Sequence, residues 1–179
     1  MQFYPAGFLV VRAKHPHRYA SFYRGVDRYP YQLPYPIPED VPDEVVDLYT
    51  QDETVDGFLA HFSVAKSICT FLHSTSDDES VILKCAVNRT THIPADAHDK
   101  DCRFLGYDVA YWGGDFFSMI LNGLFWKQIP QLANFREALN ENGLFDSAEV
   151  ARAYQGAYLS LPDTEHEGDY CIYKLEACE

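Results

Sequence analysis

Apolar and polar positions along the chain follow two alternating rhythms. Short β-branched and aromatic runs at 8–13 (FLVVRA), 81–87 (VILKCAV), 103–112 (RFLGYDVAYW) and 170–175 (YCIYKL) read as strands. Other segments carry apolar residues at helical spacing. Pro42 followed by Asp43 and Glu44 starts a short helix through about Tyr49. Residues 64–73 put Val64, Ile68, Phe71 and Leu72 on one helical face, with Ser63 as the expected N-cap. Asp115 is the expected N-cap of a helix carrying Phe117, Ile120, Leu121 and Leu124, which Pro130 stops. Asn134 with Glu137, and Asp146 with Glu149, each have capping-box spacing, and Gly143 stands where a left-handed C-cap belongs. These signals predict helices over 135–142 and 147–158.

About four strands and four or five helices in mixed order make an α+β fold, with a mixed or antiparallel sheet in a single domain over 1–179. A regular βαβ alternation is absent, which counts against a doubly wound sheet. Residues 15–43 break both rhythms. Pro16, Pro30, Pro34, Pro36, Pro38 and Pro42 alternate with Tyr19, Tyr23, Tyr29, Tyr31 and Tyr35. Proline fixes φ and favours extended backbone before it, so this stretch reads as a Pro/Tyr-rich arm packed on the body through its tyrosines.

Length and composition sharpen that outline. At 179 residues and 47% hydrophobic, the chain can bury roughly 70% of its unfolded surface without needing a metal or disulfide to hold a core. The formal charge is −13, and it is unevenly spread. Residues 1–36 hold Arg12, Lys14, Arg18, Arg24 and Arg28 against Asp27, a net of +4, which leaves −17 on residues 37–179. Such a body repels nucleic acid and anionic membranes and attracts basic partners.

The cysteines are Cys69, Cys85, Cys102, Cys171 and Cys178. Their number is odd and no CxxC occurs, so neither a zinc ribbon nor a thioredoxin-type site is expected. Cys69, Cys85 and Cys171 sit in apolar runs and read as small buried hydrophobes. The apolar stretch near Met1 is too short for a signal peptide, and no run approaches 18 apolar residues, so the expectation is a cytoplasmic protein.

Several constellations hold residue types capable of chemistry. His15-Pro16-His17 reads as two exposed histidines. Residues 92–102 (HIPADAHDKDC) offer His92, Asp96, His98, Asp99, Asp101 and Cys102, all metal-ligand types, at a spacing that fits no metal motif; a solvated loop is the plainer reading. Glu165-His166-Glu167 favours a protonated imidazole but has no nucleophile beside it in sequence. Gly113-Gly114-Asp115 could cradle a phosphate on backbone N–H groups, but Asp115 opposes an anion and no lysine follows at the required spacing. Acidic runs lie at Glu39-Asp40, Asp43-Glu44 and Asp77-Asp78-Glu79. Tyr107, Asp108, Tyr111, Trp112 and Asp115 mix aromatics with carboxylates, as interface anchors do.

FLGYDVA (104–110), SMILNGL (118–124), ALNENGLF with the helix after it (138–154), and His166 with YCIYKLE (170–176) follow one another in that order. Together they resemble small uncharacterised bacterial proteins of the kind encoded beside polymorphic toxins, some of which look like immunity proteins. The likeness covers roughly the C-terminal 75 residues and carries no catalytic residues with it. It implies inhibition by direct binding to a cognate toxin.

The leading expectation is therefore an acidic interaction protein that blocks a basic toxin enzyme, using Asp77, Asp78, Glu79, Asp108, Tyr111, Trp112 and Asp115, with no cofactor. One alternative is a small enzyme whose His98, Asp99, Asp101 and His166 converge only in space. The other is a nucleic-acid or phosphate binder working through the basic and aromatic stretch 12–31.

Overall fold

The computed structural model describes residues 1–12, 42–54, 57–75, 80–91, 102–112, 118–162 and 169–178. The Pro/Tyr-rich arm falls outside these residues, apart from Pro42 and Asp43 at its end. The fold is α+β, built on a four-stranded antiparallel sheet in the order β1-β2-β4-β3. The strands are β1 (Tyr4–Arg12), β2 (Ser80–Val87), β3 (Arg103–Trp112) and β4 (Asp169–Cys178). β3 matches its predicted run, β2 and β4 extend theirs by one to three residues at one or both ends, and β1 starts four residues before its predicted run and ends one residue before that run does.

Alternation sorts the strand residues onto two faces. On one face Leu9, Val11, Leu83, Cys85, Val87, Ala110, Cys171, Tyr173 and Leu175 form an apolar layer with Phe58 and Leu144. The opposite face carries two separate clusters. Over β1 and β2, Phe8, Val10 and Ile82 pack with helices α1 (Asp43–Asp52) and α2 (Phe62–Thr75). Over β3 and β4, Val109 and Ile172 pack with a helical segment from Met119 to Trp126, a 3-10 helix Pro130–Ala138 and helix α3 (Ala148–Leu159).

Local chemistry explains where the helices depart from expectation. Helix α2 begins at Phe62, so Ser63 lies inside it rather than at the N-cap. Ser118 does cap: its Oγ accepts from the Leu121 backbone N–H at 3.2 Å. The chain then widens into a π-helical turn over Leu121–Trp126, with Lys127 N–H donating to the Asn122 carbonyl at 2.9 Å. Gly123 is small for a reason. A Cβ there would lie 2.4 Å from the Tyr154 hydroxyl and 3.0 Å from Leu132.

The predicted helix over 135–142 is replaced by the 3-10 helix, which Pro130 starts; the preceding helical segment, expected to run to Pro130, ends at Trp126. Asn140 ends the helical path by organising its own turn. Its Oδ1 accepts from the backbone N–H groups of Asn142 (2.9 Å) and Leu144 (3.2 Å). Gly143 does adopt positive φ, 69°, but inside this turn. The last helix starts one residue later than its capping-box reading, with Ser147 Oγ accepting from Val150 N–H at 3.2 Å.

The two outer strands share a device. Each carries a bulge with one extra buried residue, Ala6 in β1 and Leu105 in β3, followed by a glycine at positive φ. Gly7 (φ 123°) lets the Phe58-Leu59 backbone approach, and Phe8 and Leu59 exchange backbone hydrogen bonds at 2.8 and 2.9 Å. Gly106 (φ 145°) lets Leu144-Phe145 approach, and Tyr107 and Phe145 exchange bonds at 2.8 and 3.0 Å. Each edge is thus occupied at one point by a crossing loop, which blunts its capacity to pair with another chain.

Candidate functional site

Asp108 is the most unusual group among the described residues. It is 1% exposed, on the face of β3 that also carries Ala110. Its Oδ1 accepts from Ser118 Oγ at 2.9 Å and from the Val109 backbone N–H at 2.7 Å. Burial pushes its carboxyl up to about 7, and those two hydrogen bonds offset the rise only in part. Ser118 pairs with Ala110 through an isolated bridge, so one hydroxyl joins the β3 carboxyl to the start of the next helical segment.

The groups around that junction are aromatic and hydrogen-bonded. Tyr154 OH donates to the Met119 carbonyl at 2.7 Å, and Asn122 Nδ2 donates to Tyr158 OH at 3.0 Å. Tyr158 packs on Tyr170, which packs on Tyr111 at 5.9 Å between centroids. Burial raises the phenols of Tyr154, Tyr158 and Tyr170. The arrangement lets Asp108 keep its proton far above the usual carboxylate range and ties helices to the sheet.

The sequence-predicted partner residues therefore separate. Asp108 lies in the interior, where its carboxyl cannot face a partner protein; its alternation partner Ala110 is fully buried beside it. Tyr111 is half-buried against Tyr170. Trp112 ends β3. Asp77, Asp78, Glu79 and Asp115 lie outside the described residues, as do His15, His17, His92, His98, Asp99, Asp101 and His166. Cys102 belongs to a disulfide with Cys178, so its sulfur is not a free metal ligand. Among the described residues no three His, Cys, Asp or Glu side chains gather as a metal site would need.

Of the acidic runs read from the sequence, Asp43-Glu44 is the one whose surface is described. Helix α1 (DEVVDLYTQD) holds Asp43, Glu44, Asp47 and Asp52 and no basic residue. Asp43, Glu44 and Asp47 are exposed. Val46 and Leu48, 38% and 41% exposed, stand among them, while Val45 is buried and Tyr49 turns inward to donate to the Gly57 carbonyl at 3.0 Å. The outward side of α1 thus mixes carboxylates with aliphatic surface. The sequence marks Asp43 and Glu44 both as the first turn of a short helix and as an acidic run. The signal for the rest was available: Asp47 lies three residues after Glu44 and so shares its face, and no lysine or arginine interrupts the helix.

Elsewhere, exposed apolar side chains keep different company. Phe104, 41% exposed, has the Lys174 ammonium 5.9 Å from its ring centroid. No helix among the described residues is long and apolar enough to cross a membrane. No family model, curated protein or solved structure was found to match this chain, so its reading rests on its own residues.

Proposed function

We propose that the protein is an interaction module that binds a basic partner protein, and that its activity is the inhibition of that partner in the manner of an immunity protein. The observation that carries this reading is the outward side of α1. It presents Asp43, Glu44 and Asp47 around Val46 and Leu48, with no basic residue on the helix. Carboxylates of one sign raise the encounter rate with a cationic surface, and desolvated aliphatic contact holds it. The formal charge of −13 adds a long-range field of the same sign. The C-terminal likeness to immunity-type proteins supplies the toxin as partner. The cytoplasm, where a toxin's producer needs protection, is the compartment that goes with this reading.

The test is affinity capture from the native host with the wild-type chain and with the Glu44→Lys/Asp47→Lys variant, washed at low and high salt. The reading expects a basic protein that wild type retains at low salt, releases at high salt, and that the variant fails to retain. Equal capture by both chains would remove α1 from the account.

A further inference from the structure

We propose that Cys102 and Cys178 form a reversible redox clasp that closes the end of the sheet beneath α2. Their place in the ladder makes the pairing. Arg103 faces Ala177 at the end of the β3–β4 register, so Cys102 and Cys178 are the next facing residues. Their Cα atoms lie 4.4 Å apart, the spacing of a closely approaching antiparallel pair, about 4.5 Å. The sulfurs are bonded across 76 residues of sequence. The other three cysteines are free and buried.

Position gives the bond a consequence. Cys178 also faces Ile82 on β2, so the clasp holds the last residue of β4 between two neighbours. Cys102 and Cys178 pack in the same apolar cluster as Ile68, Cys69 and Leu72 of α2. Opening the clasp leaves the final pair of the ladder held by packing alone, and loosens the floor on which α2 rests. Cys69, 8% exposed in the clasped form, then becomes reachable.

The exchange balances with a dithiol as reductant. An external thiolate attacks Sγ of Cys102, the more exposed of the two residues, since Cys102 is half-buried and Cys178 is 6% exposed. The S–S bond breaks as a mixed disulfide forms at Cys102, and Cys178 leaves as a thiolate and takes up a proton. The second external thiol displaces Cys102, which leaves as a thiol. Two electrons have passed from the dithiol to the protein. A low-molecular-weight disulfide such as oxidised glutathione drives the reverse.

The experiment equilibrates the full chain in glutathione buffers of graded ratio, counts thiols by alkylation and mass spectrometry, and records Tm for each state. The clasp predicts three thiols in the oxidised protein and five in the reduced one, linked by a single two-electron transition. It predicts a Tm lower by about 5–15 °C on reduction, and native-state alkylation of Cys69 only after reduction. The Cys102→Ser/Cys178→Ser variant keeps the lower Tm in every buffer; if it does not fold, the wild-type titration decides alone. Five thiols under oxidised glutathione would overturn the proposal. So would a bond that no glutathione ratio opens, or a reduced protein with unchanged Tm and protected Cys69.

Discussion

The two edges of the sheet solve one backbone problem and fasten the solution differently. In β1 and β3 alike, a bulge and a positive-φ glycine admit a loop that pairs with the next residue. At β3 the loop's own side chains satisfy the bulge. Asn140 and Asn142 both donate to the Leu105 carbonyl, at 2.8 and 3.2 Å, and Asn142 is 5% exposed. At β1 the loop is fastened instead to the neighbouring helix. Tyr49 reaches Gly57, Asp52 accepts from the His61 backbone at 2.9 Å, and the Asp52 carboxylate meets the His61 ring. One edge is locked into the interior, and the same strand carries the buried Asp108–Ser118 pair. The other edge is locked to α1, which keeps that helix in place while its acidic side faces outward. Structure is concentrated at β3 and surface chemistry at β1.

The largest effect expected from this contrast is a pH dependence confined to the β3 side. Asp108 holds its proton up to about 7 in the folded state, against 3.8 for the free carboxyl. Between those values the unfolded chain releases a proton that the folded chain keeps. This contribution is therefore full below pH 3.8, declines as pH rises, and is gone above about 7, a total of order 4 kcal/mol. Urea unfolding from pH 4 to 8 should show the decline, and Asp108→Asn should flatten it. An unchanged slope in the variant would place the titration elsewhere.

Next in size are Gly7→Ala and Gly106→Ala. A Cβ on Gly7 would lie 2.6 Å from the Leu59 carbonyl oxygen, and one on Gly106 would lie 2.6 Å from Leu144 Cβ, both at positive φ. Each should cost about 3 kcal/mol in chemical denaturation. If only one does, the two edges are not equivalent in backbone. Side-chain removal should separate them. Asn140→Ala strips four hydrogen bonds from the β3 loop and should cost about 2–3 kcal/mol. Asp52→Ala loosens the β1 loop at a cost of about 1 kcal/mol. The reverse order would break the comparison.

Short apolar, β-branched runs made all four strands legible, and with them the α+β class, because runs such as Val81 to Val87 are too short for a buried helix and rich in strand-forming residues. Cys69, Cys85 and Cys171 were legible as core because they sit in apolar runs. The helices after β3 were harder. Asn134 and Glu137 have capping-box spacing, yet Pro130 had already begun a 3-10 path and Asn140 diverted the chain to the Leu105 carbonyl, a partner 35 residues away. Ser118 caps the segment after β3 by accepting from Leu121 N–H within its own turn and donating to Asp108 across the sheet, while Asp115, the cap expected from sequence, lies outside the described residues. Long-range partners of this kind leave no local spacing to read. The same holds for Cys102 and Cys178, which become neighbours only once the β3–β4 register is set. Asp108 was singled out for its charge among aromatics, but alternation gives only its face, and that face turned out to be covered.

In the proposed reading the β1 side, through α1, meets the partner while the β3 side supports the fold. Two charge reversals of equal size, measured side by side, separate these roles. Glu44→Lys/Asp47→Lys alters exposed carboxylates on α1, and Glu137→Lys/Glu141→Lys alters exposed carboxylates near the β3 loop. Surface changes of this kind should move stability by less than about 0.5 kcal/mol, so both variants should unfold like wild type. In quantitative capture of the salt-sensitive partner, the account predicts loss with the α1 pair and wild-type retention with the Glu137/Glu141 pair. Equal loss in both would reduce the attraction to net charge alone, and loss only in the second would contradict the account.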